Sequence, residues 1–244
     1  MFCRLVRYNK ELLKDQRKVL IDKINRLLLE ENGSIKKFSS SIKYLMESMA
    51  ALSLLDSSVE ETTSIIVHTI QPYVSTLRQS LDDLHKGSEA VKSNGKEVRE
   101  MDLDNDLYMR TYNVVLAISD YFIALEEMKG KPESMAIVTV FTSLWQEFIR
   151  KVIEHFASLE RIQEAVGKII KSFQKTCREG FKPFLEDYLS LIVECFRRSK
   201  LQTFIYSFET SIKCYANEEM LKPYFVKVLD IFITMSLQDL QTKD

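Results

Sequence analysis

Lys168, Lys171, Lys175 and Arg178 follow one another at three- and four-residue steps within RIQEAVGKIIKSFQKTCREG. On an α-helix such steps place side chains along one face, and Ile162, Val166, Ile169 and Phe173 recur on the opposite side. Four cations with no acid between them could hold an anion, such as an acidic or phosphorylated protein segment, through charge-assisted hydrogen bonds. Crowding like charges this way costs the helix about a few tenths of a kcal/mol per neighbouring pair. Glu164, one turn before Lys168, offsets part of that cost. The same pattern also suits an ordinary solvated helix face, since charge runs usually are that.

The other residues with chemical potential do not assemble into a motif. SNGKE at 93–97 holds a Gly-Lys pair, but a phosphate loop needs a second Gly where Ala90 stands. No G-x-S-x-G nucleophile elbow occurs. Glu154-His155 lacks the second His that a zinc helix requires. His68 and His155 fall inside helical patterns, and the acid pairs Glu60-Glu61, Asp82-Asp83 and Glu126-Glu127 read as solubilising charge. Cys3, Cys177, Cys195 and Cys214 form no C-x-x-C pair and lie far from the histidines, so no metal-ligand spacing arises. The last three sit inside apolar stripes, as small buried thiols do in a reducing compartment. The expectation is a protein with no catalytic residue, no metal site and no cofactor, and not an enzyme.

Bulk properties narrow the class further. Of the 244 residues 45% are hydrophobic and 28% charged, a balance that suits a folded chain. A formal net charge of −1 gives no general attraction to nucleic acid, and no aromatic residues interleave with the basic strip to stack bases. The start, MFCRLVRYNKELL, lacks the apolar run of a signal peptide, and no uninterrupted stretch suits membrane insertion. NGS at 32–34 matches a glycosylation acceptor without other signs of secretion. The expected setting is the cytosol or nucleus.

What must position the strip is helical, because only six Gly and four Pro punctuate the chain. Apolar periodicity predicts about ten helices. The first spans about Glu11–Glu31 and ends at Asn32-Gly33; the second spans about Ile35–Leu55. Ser58 and Glu61 then form a capping box for a helix that kinks or restarts at Pro72 and ends near Leu84. Residues 85–103 are polar and aperiodic, which predicts an exposed, mobile connection. A helix over about Asn105–Lys129 stops at GKPES. Helices over about Met135–Ser158, Glu160–Arg178, Pro183–Ser199, Leu201–Ala216 and Glu218–Leu240 follow with very short joints.

In FKPFLEDYLSLIVECFRRSK the apolar residues cover too much of the circumference for a surface helix, so this helix has neighbours on several sides. Short loops make consecutive helices antiparallel neighbours. Helix pairs repeating every roughly 35 to 45 residues describe an all-α, HEAT-type α-solenoid. Residues 1–244 are expected to form one such segment. The alternative is a compact helical bundle with fewer, longer helices and one enclosed core.

The stretch 137–216 resembles the C-terminal half of importin-β-type nuclear transport receptors (karyopherins), in the branch of transportin-SR, Mtr-ten and importin-thirteen. Carrying the resemblance are Leu144-Trp145, Arg161-Ile162 with Glu164, Pro183-Phe184-Leu185, and Phe204 with Tyr206. Weaker similarity extends upstream through IKYLMESMAALSLLDSSVEETTSIIVHTIQPYVSTLRQSL. The resemblance implies a receptor segment without the N-terminal repeats that bind the GTPase Ran, shuttling between cytoplasm and nucleus. It implies protein cargo on a concave wall, including phosphorylated Arg-Ser-rich tails of splicing factors. For the full-length receptor it also implies Ran and Phe-Gly nucleoporins as partners, the latter on the convex side. In that branch the helix matching 161–178 is arginine-rich, and Lys168, Lys171 and Lys175 fall where it places arginines. A fourth such position falls on Ala165. Lysine acts as a point charge where guanidinium grips phosphate through two donors, so the implied grip is weaker. The alternative function is a HEAT scaffold or exportin segment that mediates protein–protein contacts without import.

Overall fold

In the computed structural model, residues 6, 8–29, 39–55, 58–92 and 105–241 are described. Among them the chain is helical almost throughout, with no β-strand. In chain order the α-helices are α1 Lys10–Lys14, α2 Arg17–Leu28, α3 Ser39–Ser53, α4 Val59–Lys92, α5 Asn105–Ala124, α6 Ser134–Leu144, α7 Arg150–His155, α8 Glu160–Thr176, α9 Arg178–Ser199, α10 Gln202–Tyr215 and α11 Lys222–Gln241. A 3₁₀ turn, Leu125–Met128, extends α5, and a π-turn, Trp145–Ile149, joins α6 to α7.

The helices alternate between two rows. In one row α3 packs on α5, α5 on α8, and α8 on α10. In the other α4 packs on α6, both α6 and α7 pack on α9, and α9 packs on α11. Helix α2 covers the start, touching α3 and α4. Each helix therefore meets its neighbours in the row and the helix across from it, which is an α-solenoid and not a bundle around one centre.

Local chemistry sets most boundaries. Ser58 Oγ accepts the Glu61 amide at 3.2 Å and starts α4, as the capping pattern predicts. Pro72 does not interrupt α4; Tyr73, with no exposed surface, fixes the next turn in the core. The helix continues to Lys92, so residues 85–92 are helical and not part of a connection. The rest of the expected connection, and the Asn32-Gly33 stop, lie outside the described residues. The predicted first helix is divided at Asp15–Gln16. Gly130 takes a left-handed φ of 77° in the turn after the 3₁₀ segment, where a Cβ would be strained.

Helix α9 begins at Arg178, five residues before Pro183, where the sequence predicts its start. A proline in the second turn costs only the bond to the Glu179 carbonyl. Phe181, in the turn before it, has no exposed surface and lies between the rings of Phe141, Phe173 and Tyr188. Burying that ring is worth about 1.5–3 kcal/mol, enough to hold the turn helical. The π-turn occurs at the same contact: Trp145, Phe148 and Ile149 are all buried, and Trp145 meets Phe184 and Tyr188 of α9 at 5.9 and 6.1 Å between ring centroids. Trp145 and Phe148 are thus core residues, as aromatic residues at helical spacing usually are.

Candidate functional site: a cationic line on α8

Helix α8 is buried over most of its circumference. Ile162, Gln163, Ala165, Val166, Ile169, Ile170, Ser172, Phe173, Gln174 and Thr176 all lie inside. What remains exposed is Glu160 and Arg161 at the start, then Glu164, Lys168, Lys171 and Lys175 at steps of three and four residues. The line follows from the row architecture. Helices α5 and α10 flank α8 within its row, while α6, α7 and α9 pack against it from the other.

The structure keeps three of the four predicted cations on this line and moves the fourth. Helix α8 ends at Thr176, and Arg178 opens α9. The expected single helix through Arg178 is therefore two helices meeting at Cys177, whose buried thiol donates to the Ser134 carbonyl at 3.4 Å. Arg178 is half-exposed and committed within the fold. Its guanidinium donates to Glu218 at 3.1 Å and lies 5.6 Å from the Tyr215 ring centroid. Lys182 joins the same carboxylate at 3.2 Å.

Lys175 also has an anion, Glu126 on the 3₁₀ turn after α5, at 3.5 Å. Along its own helix the strip lacks acids only between Lys168 and Lys175. Lys168 and Lys171 form no salt bridge among the described residues. Lys168 acts at longer range on Asp120 of α5, and Lys171 on the Cys214 thiol of α10. Burial pushes that thiol up, and Arg178, Lys175, Lys129 and Lys171 pull it back.

Two residues change standing. Ala165, expected at a cation position, is 1% exposed, so a charge there would not join the line. Arg161, quoted at the sequence level only as part of the helix opening, is exposed on the line and adds a guanidinium at its first turn. Its i, i+7 relation to Lys168 was the signal available in the sequence. With Arg161, Lys168 and Lys171 against Glu160 and Glu164, the line keeps a small cationic excess and can bind an anionic segment by charge and hydrogen bonds.

Between α3 and α5, beside the line, lies a cavity of about 300 Å³ whose wall includes Lys43, Glu47, Asp120 and Glu127. Periodicity could not reveal it, because its walls are far apart in sequence. No group of three or more His, Cys, Asp or Glu that could hold a metal ion occurs among the described residues. No described helix is long and apolar enough to cross a membrane.

Compared with known proteins, residues 136–240 match the model of the Transportin-3/Importin-13 fourth TPR domain. The matched part runs from α6 through nearly all of α11 and so contains the whole cationic line. That description names the repeats TPR where the sequence suggested HEAT; both are stacked helix pairs. No curated protein and no solved structure matches the chain.

Proposed function

We propose, from the match of residues 136–240 to the model of the Transportin-3/Importin-13 fourth TPR domain, that the chain is a non-catalytic cargo-binding segment of a nuclear import receptor. The row α3–α5–α8–α10 is then its concave, cargo-facing wall, and α8 supplies the grip. Its ligand is an acidic or phosphorylated protein tail of the Arg-Ser type. Shuttling between cytoplasm and nucleus, and partnership with Ran and Phe-Gly nucleoporins, belong to the same proposal.

The observation that carries it is the unpaired state of Lys168 and Lys171 within the matched family segment. Two ammonium groups without a salt-bridge partner among the described residues keep their charge for a ligand. Lys175 and Arg178 contribute less, because a ligand must compete with Glu126 and Glu218. Exposed charges of this kind bind in a salt-dependent way, since a Debye length of about 8 Å at physiological ionic strength screens them.

The test is the doubly reversed variant Lys168→Glu with Lys171→Glu, assayed by fluorescence anisotropy against a phosphorylated Arg-Ser peptide. Binding should fall at least about tenfold at low salt, and the wild-type affinity should decline as salt rises. Unchanged binding by the variant would remove α8 from the cargo surface. In the complete receptor, captured cargo should be released by GTP-loaded Ran.

A further inference from the structure

We propose that the open side of α11 binds the same surface of a second copy of this chain, in a symmetric tail-to-tail pair. The contact is independent of the cationic line, which lies on another helix.

Helix α11 carries two apolar stripes. Phe225, Val228, Phe232 and Met235 are buried, and the Phe232 ring meets Phe196 of α9. Val226, Leu229, Ile233 and Leu237 follow one another at the same helical steps, yet they are 66, 44, 49 and 55% exposed. Monomers seldom leave so continuous an apolar strip in water. The preceding helix of the row shows what such a strip is for. Helix α9 is covered by α6 and α7 on one side and by α11 on the other. Helix α11 repeats that two-sided apolar character, but among the described residues its only row neighbour is α9.

Charge selects the occupant. From Gln202 to Gln238 the exposed charged residues are Glu209, Lys213, Glu219, Lys222, Lys227 and Asp230, three acids and three lysines with no net charge. Four of the six are paired within the chain, Glu209 with Lys213 and Glu219 with Lys222. A surface with no charge excess does not repel its own copy, and two α11 helices packed antiparallel also oppose their dipoles favourably. The start of the chain is a poorer match. Helix α2 exposes Leu27 beside Lys18 and Lys23, and α11 offers no acidic excess to meet those lysines.

The available area suffices for a modest dimer. Helix α11 has 20 residues, about 30 Å at 1.5 Å per residue. With α10 lying about 8–10 Å to its side, a face roughly 20 Å wide offers about 600 Å² per copy. Two copies then bury about 1,200 Å², the lower end of specific interfaces.

Sedimentation velocity of the full chain between about 1 and 100 µM, the range suited to so small an interface, tests this. Wild-type protein should pass from monomer to dimer and stop there, because an isologous contact closes at two. Leu229→Asp with Ile233→Asp should weaken dimerisation at least about 100-fold, since each pair would bury four carboxylates. Both side chains are exposed in the single chain, so thermal unfolding of the variant should match wild type. Hydrogen exchange of wild-type protein gives a readout that needs no variant: protection should rise with concentration in α10 and α11 and stay constant in α2. Wild-type protein that remains monomeric overturns the proposal, as does a dimer that survives the aspartate variant. Growth beyond the dimer that is lost on Leu27→Asp would mean tail-to-start stacking, and would overturn it too.

Discussion

At the scale of single residues, the charges on α8 differ by what neighbouring helices set against them. Lys175 looks equivalent to Lys168 on a helical wheel, yet Glu126 stands 3.5 Å from it. A partly exposed pair of this kind is worth little, about 0–1 kcal/mol. Glu126→Gln should therefore strengthen binding of a phosphorylated peptide about twofold, measured by anisotropy at low salt, by releasing Lys175. Cys177 gives a pH dependence. Burial pushes its thiol from an ordinary 9.0 up to about 12. Between those values the unfolded chain has lost a proton that the native state keeps, so stability falls as pH rises from about 9 toward 12. In urea unfolding, Cys177→Ala should flatten this alkaline decline, whatever its effect near neutral pH.

At the scale of elements, α6, α8 and α9 meet in one aromatic cluster. Phe141 and Phe173 stack with centroids 3.8 Å apart and planes 7° from parallel. Phe173 has no exposed surface, and Phe173→Ala should cost about 3–5 kcal/mol in denaturant unfolding. Gly180 lets α9 approach α6: a Cβ there would lie 2.5 Å from Val138 Cγ2 and 3.2 Å from Cγ1. A β-branched neighbour cannot swing aside easily, so Gly180→Ala should destabilise by about 1–3 kcal/mol. Adding Val138→Ala should recover much of the loss. A double-mutant cycle showing no coupling would mean that the helices simply move apart.

At the scale of the whole molecule, the two-row stacking confines each contact to neighbouring repeats. On helix α11 the Phe232 ring lies 4.9 Å from Phe196 and 5.4 Å from Phe208. In a nearest-neighbour architecture damage should stay local. Phe232→Ala should raise hydrogen exchange in α9, α10 and α11. Protection in α3 and α5 should stay unchanged, tied as they are by the buried 2.7 Å hydrogen bond between Ser53 and Tyr121. Equal loss of protection throughout would indicate a single cooperative core.

Much of this was legible in the residue order. Helix identity follows from apolar spacing and from scarce Gly and Pro, which act within a turn or two of the chain. The greasy and cationic faces of α8 are visible for the same reason, as are the Ser58 cap and the wide apolar surface of α9 that implies neighbours on several sides. Tertiary structure decided which charges stay available, because the neutralising partners come from other helices: Glu218 reaches Arg178 from 40 residues away. It likewise buried Ala165, brought Arg161 onto the line, and joined α3 to α5 around Asp120. Periodicity reports which face of a helix is apolar, and only packing brings distant side chains together.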